Sequence, residues 1–216
     1  MNTEEALIKK PKGNLRKRFV FLSVLITMSL FRTSAKTPVS FGLKMEAGIH
    51  EFWLYDLDNV ESRKGIAPSM GCFLQVDLNS AFAIQTEWSL FSRNTGIKIG
   101  GRNDHFRQWG MYLPVYLARR EYINNRIWYF GIGPHVRIGF DAHMKETAED
   151  LYIKTDGNAF MNRWDYGVST MLGCELYSGI QFNAGLQLGF KDQLQALGKE
   201  ATAVSRTFMV GIGYRF

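Results

Sequence analysis

The chain has 216 residues and a formal net charge of +6, a length that suits one domain. Most of the positive charge lies in the first 35 residues, which contain seven basic and two acidic side chains. The remainder holds 19 basic and 18 acidic side chains, so it lacks the cationic stripe that nucleic-acid binding requires. We therefore expect no nucleic-acid partner.

The first 35 residues have the three parts of a secretory signal peptide. A basic region at 9–18 precedes an uncharged apolar run of 13 residues at 19–31, and residues 33–35 resemble a cleavage site. Thirteen helical residues extend about 20 Å, whereas a spanning helix must cross about 30 Å of hydrocarbon. The sequence predicts a cleaved signal peptide over residues 1–35, with an uncleaved N-terminal anchor as the alternative.

After the leader, apolar side chains alternate with small or polar ones at the period of a β-strand. Most of these runs reach the roughly 9 to 11 residues that a tilted strand needs to cross a bilayer. No later stretch approaches 18 apolar residues, so any membrane crossing must use strands. The eight runs have their apolar faces at 41–49, 70–78, 82–90, 109–117, 128–140, 164–176, 180–190 and 208–216.

The connections between the runs alternate in length, as they do in bacterial outer-membrane barrels. Three links are short, at 79–80, about 119–125 and 177–179. Four are long and rich in polar residues, so we expect long outward loops there. The long links are 51–69, 92–107, 141–163 and 191–206.

Alternation alone also fits a soluble sandwich, but other features favour a membrane. Gly, Ala and Ser populate the polar face, which suits a narrow interior, and aromatic residues lie near the strand ends. Tyr214 and Phe216 resemble the C-terminal signal that barrel-assembly machinery recognises. The sequence predicts an all-β fold over 36–216: a monomeric, closed, antiparallel, eight-stranded transmembrane β-barrel of the outer membrane. Its first and last strands must pair, because backbone polar groups in lipid need internal partners.

Four short motifs carry a resemblance to a known family. They are an aromatic-Leu-x-x-Pro type strand at 112–117, a Gly-x-Gly-Pro strand at 129–134, an aromatic-Asp-aromatic-Gly strand at 164–168 and the ending at 211–216. In this order and spacing they resemble the PorT-type outer-membrane barrel domain of Bacteroidota. The resemblance implies an eight-stranded barrel, and some members of that family assist protein export across the outer membrane.

The inward face carries charges of both signs. We interpret them as a structural polar network that plugs the barrel, since eight strands leave an interior just wide enough for side chains. An ion or proton path is the alternative. Arg137 and Asp165 are expected to face each other across the third long loop. The predicted network is Lys44, Glu46, Glu87, His135, Arg137, Asp165, Glu175 and Arg215.

No residues form a recognisable catalytic, cofactor-binding or metal-binding constellation. A loop site from His143, Glu146, Glu149 and Asp150 is weaker than a solvated acidic loop. Cys72 and Cys174 lie on opposite sides of an eight-stranded ring, so we expect free thiols. The predicted role is structural or interactive, through the outward loops; a narrow pore and a lipid-modifying enzyme are the alternatives.

Overall fold

A computed structural model of the protein describes residues 39–55, 60–99, 102–144, 150–155, 158–194 and 202–216. The predicted signal peptide at 1–35 lies outside these ranges. No helix within them is long and apolar enough to cross a membrane. The long strands are β1 (Val39–Tyr55), β4 (Ser69–Asp77), β5 (Phe82–Ile99), β6 (Arg102–Ile123), β7 (Arg126–Met144), β10 (Trp164–Leu176), β11 (Ile180–Gly189) and β12 (Thr202–Arg215). The short strands are β2 (Val60–Arg63), β3 (Gly65–Ile66), β8 (Lys154–Thr155) and β9 (Asn158–Ala159).

The eight long strands form a closed antiparallel ring. Each pairs with the next in chain order, and β12 returns to pair with β1. The closing register runs from Gly42 opposite Arg215 through Ile49 opposite Phe208 to Tyr55 opposite Thr202. The predicted eight-stranded barrel, with its first and last strands as neighbours, is therefore confirmed.

The register also fixes the tilt of the strands. Register partners followed once around the ring lead from Val39 to Ile49, ten residues further along β1. Such a stagger requires strands inclined to the barrel axis, and eight inclined strands enclose a space that side chains can fill. The partners on this path are Val39, Val76, Ile84, Leu117, Ile132, Thr170, Leu186, Phe208 and Ile49.

The outward face of the ring is an apolar band. Met45, Leu90 and Val210 are 60%, 52% and 49% exposed, and the apolar positions predicted from alternation point outward on all eight strands. Aromatic side chains border the band at both ends, with Phe41 stacked on Phe216 and Trp109 packed edge-on against Phe140. A surface this apolar is stable only against hydrocarbon, so the barrel spans a membrane.

Short turns connect strands at one end of the barrel, called here the turn end. The link expected at 119–125 is shorter than predicted, because β6 continues to Ile123 and β7 begins at Arg126. Asn124 and Asn125 form this turn with φ angles of 50° and 59°, the conformation of a two-residue type I′ hairpin. Asparagine tolerates this left-handed backbone better than most residues do.

At the opposite end, called the hairpin end, the prediction of four long loops is partly wrong. The segment 92–107 is mostly strand, because β5 reaches Ile99 and β6 starts at Arg102. Strand β6 has 22 residues, about twice the length needed to cross a bilayer. Beyond the bilayer the outer face of a strand meets water, so the apolar alternation that identified the strands no longer applies there.

Candidate functional site

Two ion pairs lie in the lumen at the turn end. Arg215 Nε donates to Glu175 Oε1 at 2.8 Å, and Gln181 donates to the other Glu175 oxygen at 2.8 Å. On the other side of the lumen, Arg120 lies 2.8 Å from the carboxylate of Asp77. Charges of opposite sign therefore meet in pairs at this end. Outside the lumen, Tyr214 and Phe216 point toward lipid and pack against each other edge-on.

The next layer toward the hairpin end is centred on Lys44. Its ammonium lies 2.8 Å from Glu46 and 2.8 Å from Glu87, whose side chain is completely buried. Gln85 donates a further hydrogen bond to Glu87 at 2.9 Å. One cation thus holds two carboxylates contributed by β1 and β5.

A hydrogen-bonded chain of three side chains crosses the middle of the lumen. Tyr112 Oη lies 2.6 Å from Ser169 Oγ, which lies 2.7 Å from His135 Nδ1. A serine bonded to a histidine is a nucleophile–base arrangement in hydrolases. Here Ser169 has no exposed surface, so the hydroxyl cannot meet a substrate. The alternation in the sequence placed both His135 and Ser169 on the inward face, but Ser169 was not included in the predicted polar network, because serine on an inward face carries no distinctive signal.

Arg137 makes most of the hydrogen bonds in the next layer toward the hairpin end. It donates to Asp165 at 2.6 Å, to Gln187 at 2.8 Å and to Ser205 at 2.9 Å, and it is 2% exposed. Ser205 also accepts a bond from Arg93 at 3.3 Å. Arg93 was missed by sequence reasoning, because its segment was expected to be a loop. Five strands therefore converge on this layer: β5, β7, β10, β11 and β12.

The hairpin end of the lumen is closed by apolar side chains, named here the apolar cap. Tyr152 lies within the cap; its hydroxyl accepts a hydrogen bond from Gln108 at 2.7 Å, and burial raises the pKa of this phenol. Leu151 is tied to the barrel by a backbone bond to Ala142. The cap consists of Phe52, Ile97, Phe106, Ala142, Leu151, Tyr152, Met161, Leu194 and Ala203.

The remaining residues that sequence analysis considered lie apart from the lumen. His143 is half-exposed and lies 2.7 Å from Asp141, whereas Glu146 and Glu149 fall outside the described residues. Within the described ranges, no three side chains are arranged as metal ligands. Cys72 on β4 and Cys174 on β10 are free thiols on opposite sides of the ring.

The ring of eight strands also occurs in solved structures of outer-membrane proteins. The outer membrane protein OprG from Pseudomonas aeruginosa is 15% identical, covering 83% of this chain and 97% of that one, with a TM-score of 0.55. Neisserial surface protein A is 11% identical, covering 83% of this chain and 99% of that one, with a TM-score of 0.50. No family model and no curated protein matches the sequence. The chain has the fold of the eight-stranded outer-membrane β-barrels.

Proposed function

We propose that this outer-membrane barrel is a non-conducting protein with a structural or recognition role, exercised through its hairpin end. The filled lumen is the observation that carries the proposal. From the turn end upward, the Arg215–Glu175 pair, the Lys44 layer, the Tyr112–Ser169–His135 chain and the Arg137 layer succeed one another. The apolar cap lies above them.

A filled lumen disfavours a pore for a physical reason. An ion crossing the lumen must displace buried charges that are already paired, and breaking a buried pair is strongly unfavourable. It must then pass the apolar cap, whose apolar side chains cannot replace its hydration shell. The same burial disfavours lipid chemistry at Ser169, because the hydroxyl has no exposed surface.

Recognition is assigned to the hairpin end because the barrel continues there beyond the bilayer. Strands β5 and β6 remain paired as far as Ile99 and Arg102, and β2 adds a further strand to β5. His105 and Arg107 on this extension are exposed. The resemblance to PorT-type barrels supports a protein partner from export or cell-surface assembly, with the barrel itself acting as a monomer inserted by barrel-assembly machinery.

Conductance across a planar bilayer tests the non-conducting role. The purified full-length barrel should give no stepwise currents under an applied voltage. Reproducible single-channel steps from the wild-type protein would favour the narrow pore instead. The double variant Arg93→Ala/Arg137→Ala, which removes two bulky lumen side chains, serves as the comparison for a partly opened lumen.

The register offers a direct test of the recognition role. Thr95 and Phe106 are paired, so an Asn-Gly turn can join them and remove residues 96–105 while the pairing of the eight long strands is kept. The deletion also removes Ile97 from the apolar cap and the partner residues of β2. A photo-crosslinking residue at His105 should give a discrete protein adduct in cells, and one at lipid-facing Val210 should give lipid adducts only. Added wild-type barrel, but not the shortened barrel, should compete for the protein adduct. Lipid adducts alone from both positions would contradict recognition at this end.

A further inference from the structure

Basic side chains appear on the outer face of the ring immediately beyond the lipid-facing band at the hairpin end. On β6, the outward-facing Trp109 is followed, two residues closer to this end, by Arg107. Ile66 of β3 is followed in the same way by Lys64. Both basic side chains are exposed. Trp109 belongs to the aromatic border of the band, so these charges lie at the level of the lipid headgroups.

A second arginine and a histidine extend these charges into a patch across β2, β5 and β6. Arg63 and His105 are both register partners of Gly96 on β5, which lies between them. A Cβ atom at Gly96 would lie 2.9 Å from His105 Nδ1 and 3.3 Å from Arg63 Cβ, so both side chains pack beside the glycine. Adjacent strands are about 4.8 Å apart, so the patch is roughly 10 Å wide. This cationic patch consists of Arg63, Lys64, His105 and Arg107, all exposed.

The carboxylates on the outer side of the hairpin end already have other partners. From β12 through β1 to the loop after β7, these partners are Arg206 for Glu51, Lys98 for Glu61, His143 and Trp109 for Asp141, and the Tyr152 amide for Asp150. Among the described residues, none of the four carboxylates forms an ion pair with a lysine or arginine of the patch. The five lysine and arginine side chains of this sector outnumber the four carboxylates, and three of the five belong to the patch. The cationic patch is therefore positive.

A groove in the outer wall of the barrel connects the cationic patch to the lipid-facing band. Arg107 and Trp109 line its part near the hairpin end, and Met45, Met70 and Leu90 line its part within the band. A molecule in this groove meets positive charge at one end and hydrocarbon-facing side chains at the other. An anionic headgroup with an attached acyl chain fits both ends at once.

We propose that the cationic patch binds the phosphate groups of lipopolysaccharide, with an acyl chain in the groove. Short turns are periplasmic in outer-membrane barrels, which assigns the hairpin end to the outer leaflet, where lipopolysaccharide is the lipid. The lipid A headgroup carries its phosphate on a sugar scaffold and can reach basic residues on several strands, whereas a phospholipid has a more compact headgroup. This proposal stands whether or not a protein is recognised at the hairpin end.

A titration with purified diphosphoryl lipid A tests the site, with native mass spectrometry of the full-length barrel in non-ionic detergent as the readout. Lys64→Gln/Arg107→Gln should weaken binding about 30-fold, at roughly 1 kcal/mol for each basic residue at a membrane surface. Arg119→Gln/Arg126→Gln removes two exposed charges at the turn end and should leave the Kd unchanged. Equal weakening by the two double variants, or no weakening by the first, would overturn the proposal.

Other anions and a protein partner are distinguished by three comparisons. Phosphatidylglycerol has one phosphate and should bind roughly fivefold more weakly than diphosphoryl lipid A, so equal binding would overturn the proposal. Inorganic phosphate should not displace lipid A; displacement would mean that the patch binds a free anion. If Lys64→Gln/Arg107→Gln keeps lipid A but loses the protein adduct from His105, the patch contacts a protein and the lipid site is wrong. All four substitutions are at exposed positions, so urea midpoints should stay close to that of the wild type.

Discussion

Arg137 and Asp165 lie directly opposite each other on β7 and β10, with 2.6 Å between Nη1 and Oδ2 and almost no exposed surface. Removing one partner of such a pair leaves a buried charge uncompensated. We expect Asp165→Asn to lower the free energy of unfolding by about 3–5 kcal/mol. The double variant Asp165→Asn/Arg137→Gln should lose less than the sum of the two single variants, measured by urea unfolding in detergent micelles.

An exposed ion pair of the same length provides the control. Arg119 and Glu121 are also 2.6 Å apart, but their side chains are 66% and 55% exposed. Water screens such a pair, so Glu121→Gln should cost less than about 1 kcal/mol. Equal losses for Asp165→Asn and Glu121→Gln would mean that burial does not determine the strength of the lumen pair.

The lipid-facing band predicts a depth-dependent cost for charge. Val210 lies in the middle of the outward face of β12, whereas Val204, on the same face, lies near the hairpin end. We expect Val210→Arg to lower the free energy of unfolding in lipid vesicles by roughly 2–4 kcal/mol, and Val204→Arg by about 0–1 kcal/mol. A soluble protein would show no such difference between two outward-facing valines, so equal effects would contradict the membrane-spanning band.

The part of the fold inside the bilayer could be predicted from the sequence. In a membrane-spanning strand every second side chain faces lipid and must be apolar. This requirement identified the outward residues of all eight strands. It also identified the seam between Ile49 and Phe208, because a ring in lipid must close. The inward position of Arg137 opposite Asp165 followed from the same alternation.

The contacts across the lumen could not be predicted in this way. Arg93 and Ser205 are 112 residues apart in sequence, and they meet because of the tilt and stagger of the strands, which alternation does not determine. The apolar cap was missed for a second reason. Phe52 and Ile97 lie on strand extensions outside the bilayer, where apolar residues point inward and the periodic signal is weak.

The turn between β6 and β7 restricts which residues can stand at positions 124 and 125. Both residues have positive φ, which is unfavourable for β-branched side chains. We expect Asn124→Val to lower the free energy of unfolding by about 1–3 kcal/mol. Asn125→Gly should be neutral or slightly stabilising, since glycine adopts this conformation readily. A stable Asn124→Val variant with an unchanged urea midpoint would show that the turn conformation is not required.

The apolar cap depends on the absence of a side chain at Gly139. A Cβ atom there would lie 1.7 Å from the Tyr152 hydroxyl, so the tyrosine must move if one is added. We expect Gly139→Ala to lower the free energy of unfolding by about 1–3 kcal/mol, as overpacking does. The double variant Gly139→Ala/Tyr152→Phe should recover part of this loss because the clashing hydroxyl is gone. A double variant no more stable than Gly139→Ala would mean that the clash lies elsewhere.

Tyr152 also gives the cap a defined response to alkaline pH. Burial raises the pKa of this phenol above its ordinary value near 10, so the folded barrel keeps the proton at a pH where the unfolded chain releases it. The contribution to stability is therefore complete below about pH 10 and is lost as pH rises above that value. Urea midpoints of the wild type and Tyr152→Phe should run parallel from pH 7 to 9 and then converge toward pH 11, since phenylalanine has no proton to lose. Midpoints that remained parallel up to pH 11 would show that Tyr152 is not buried in the folded cap.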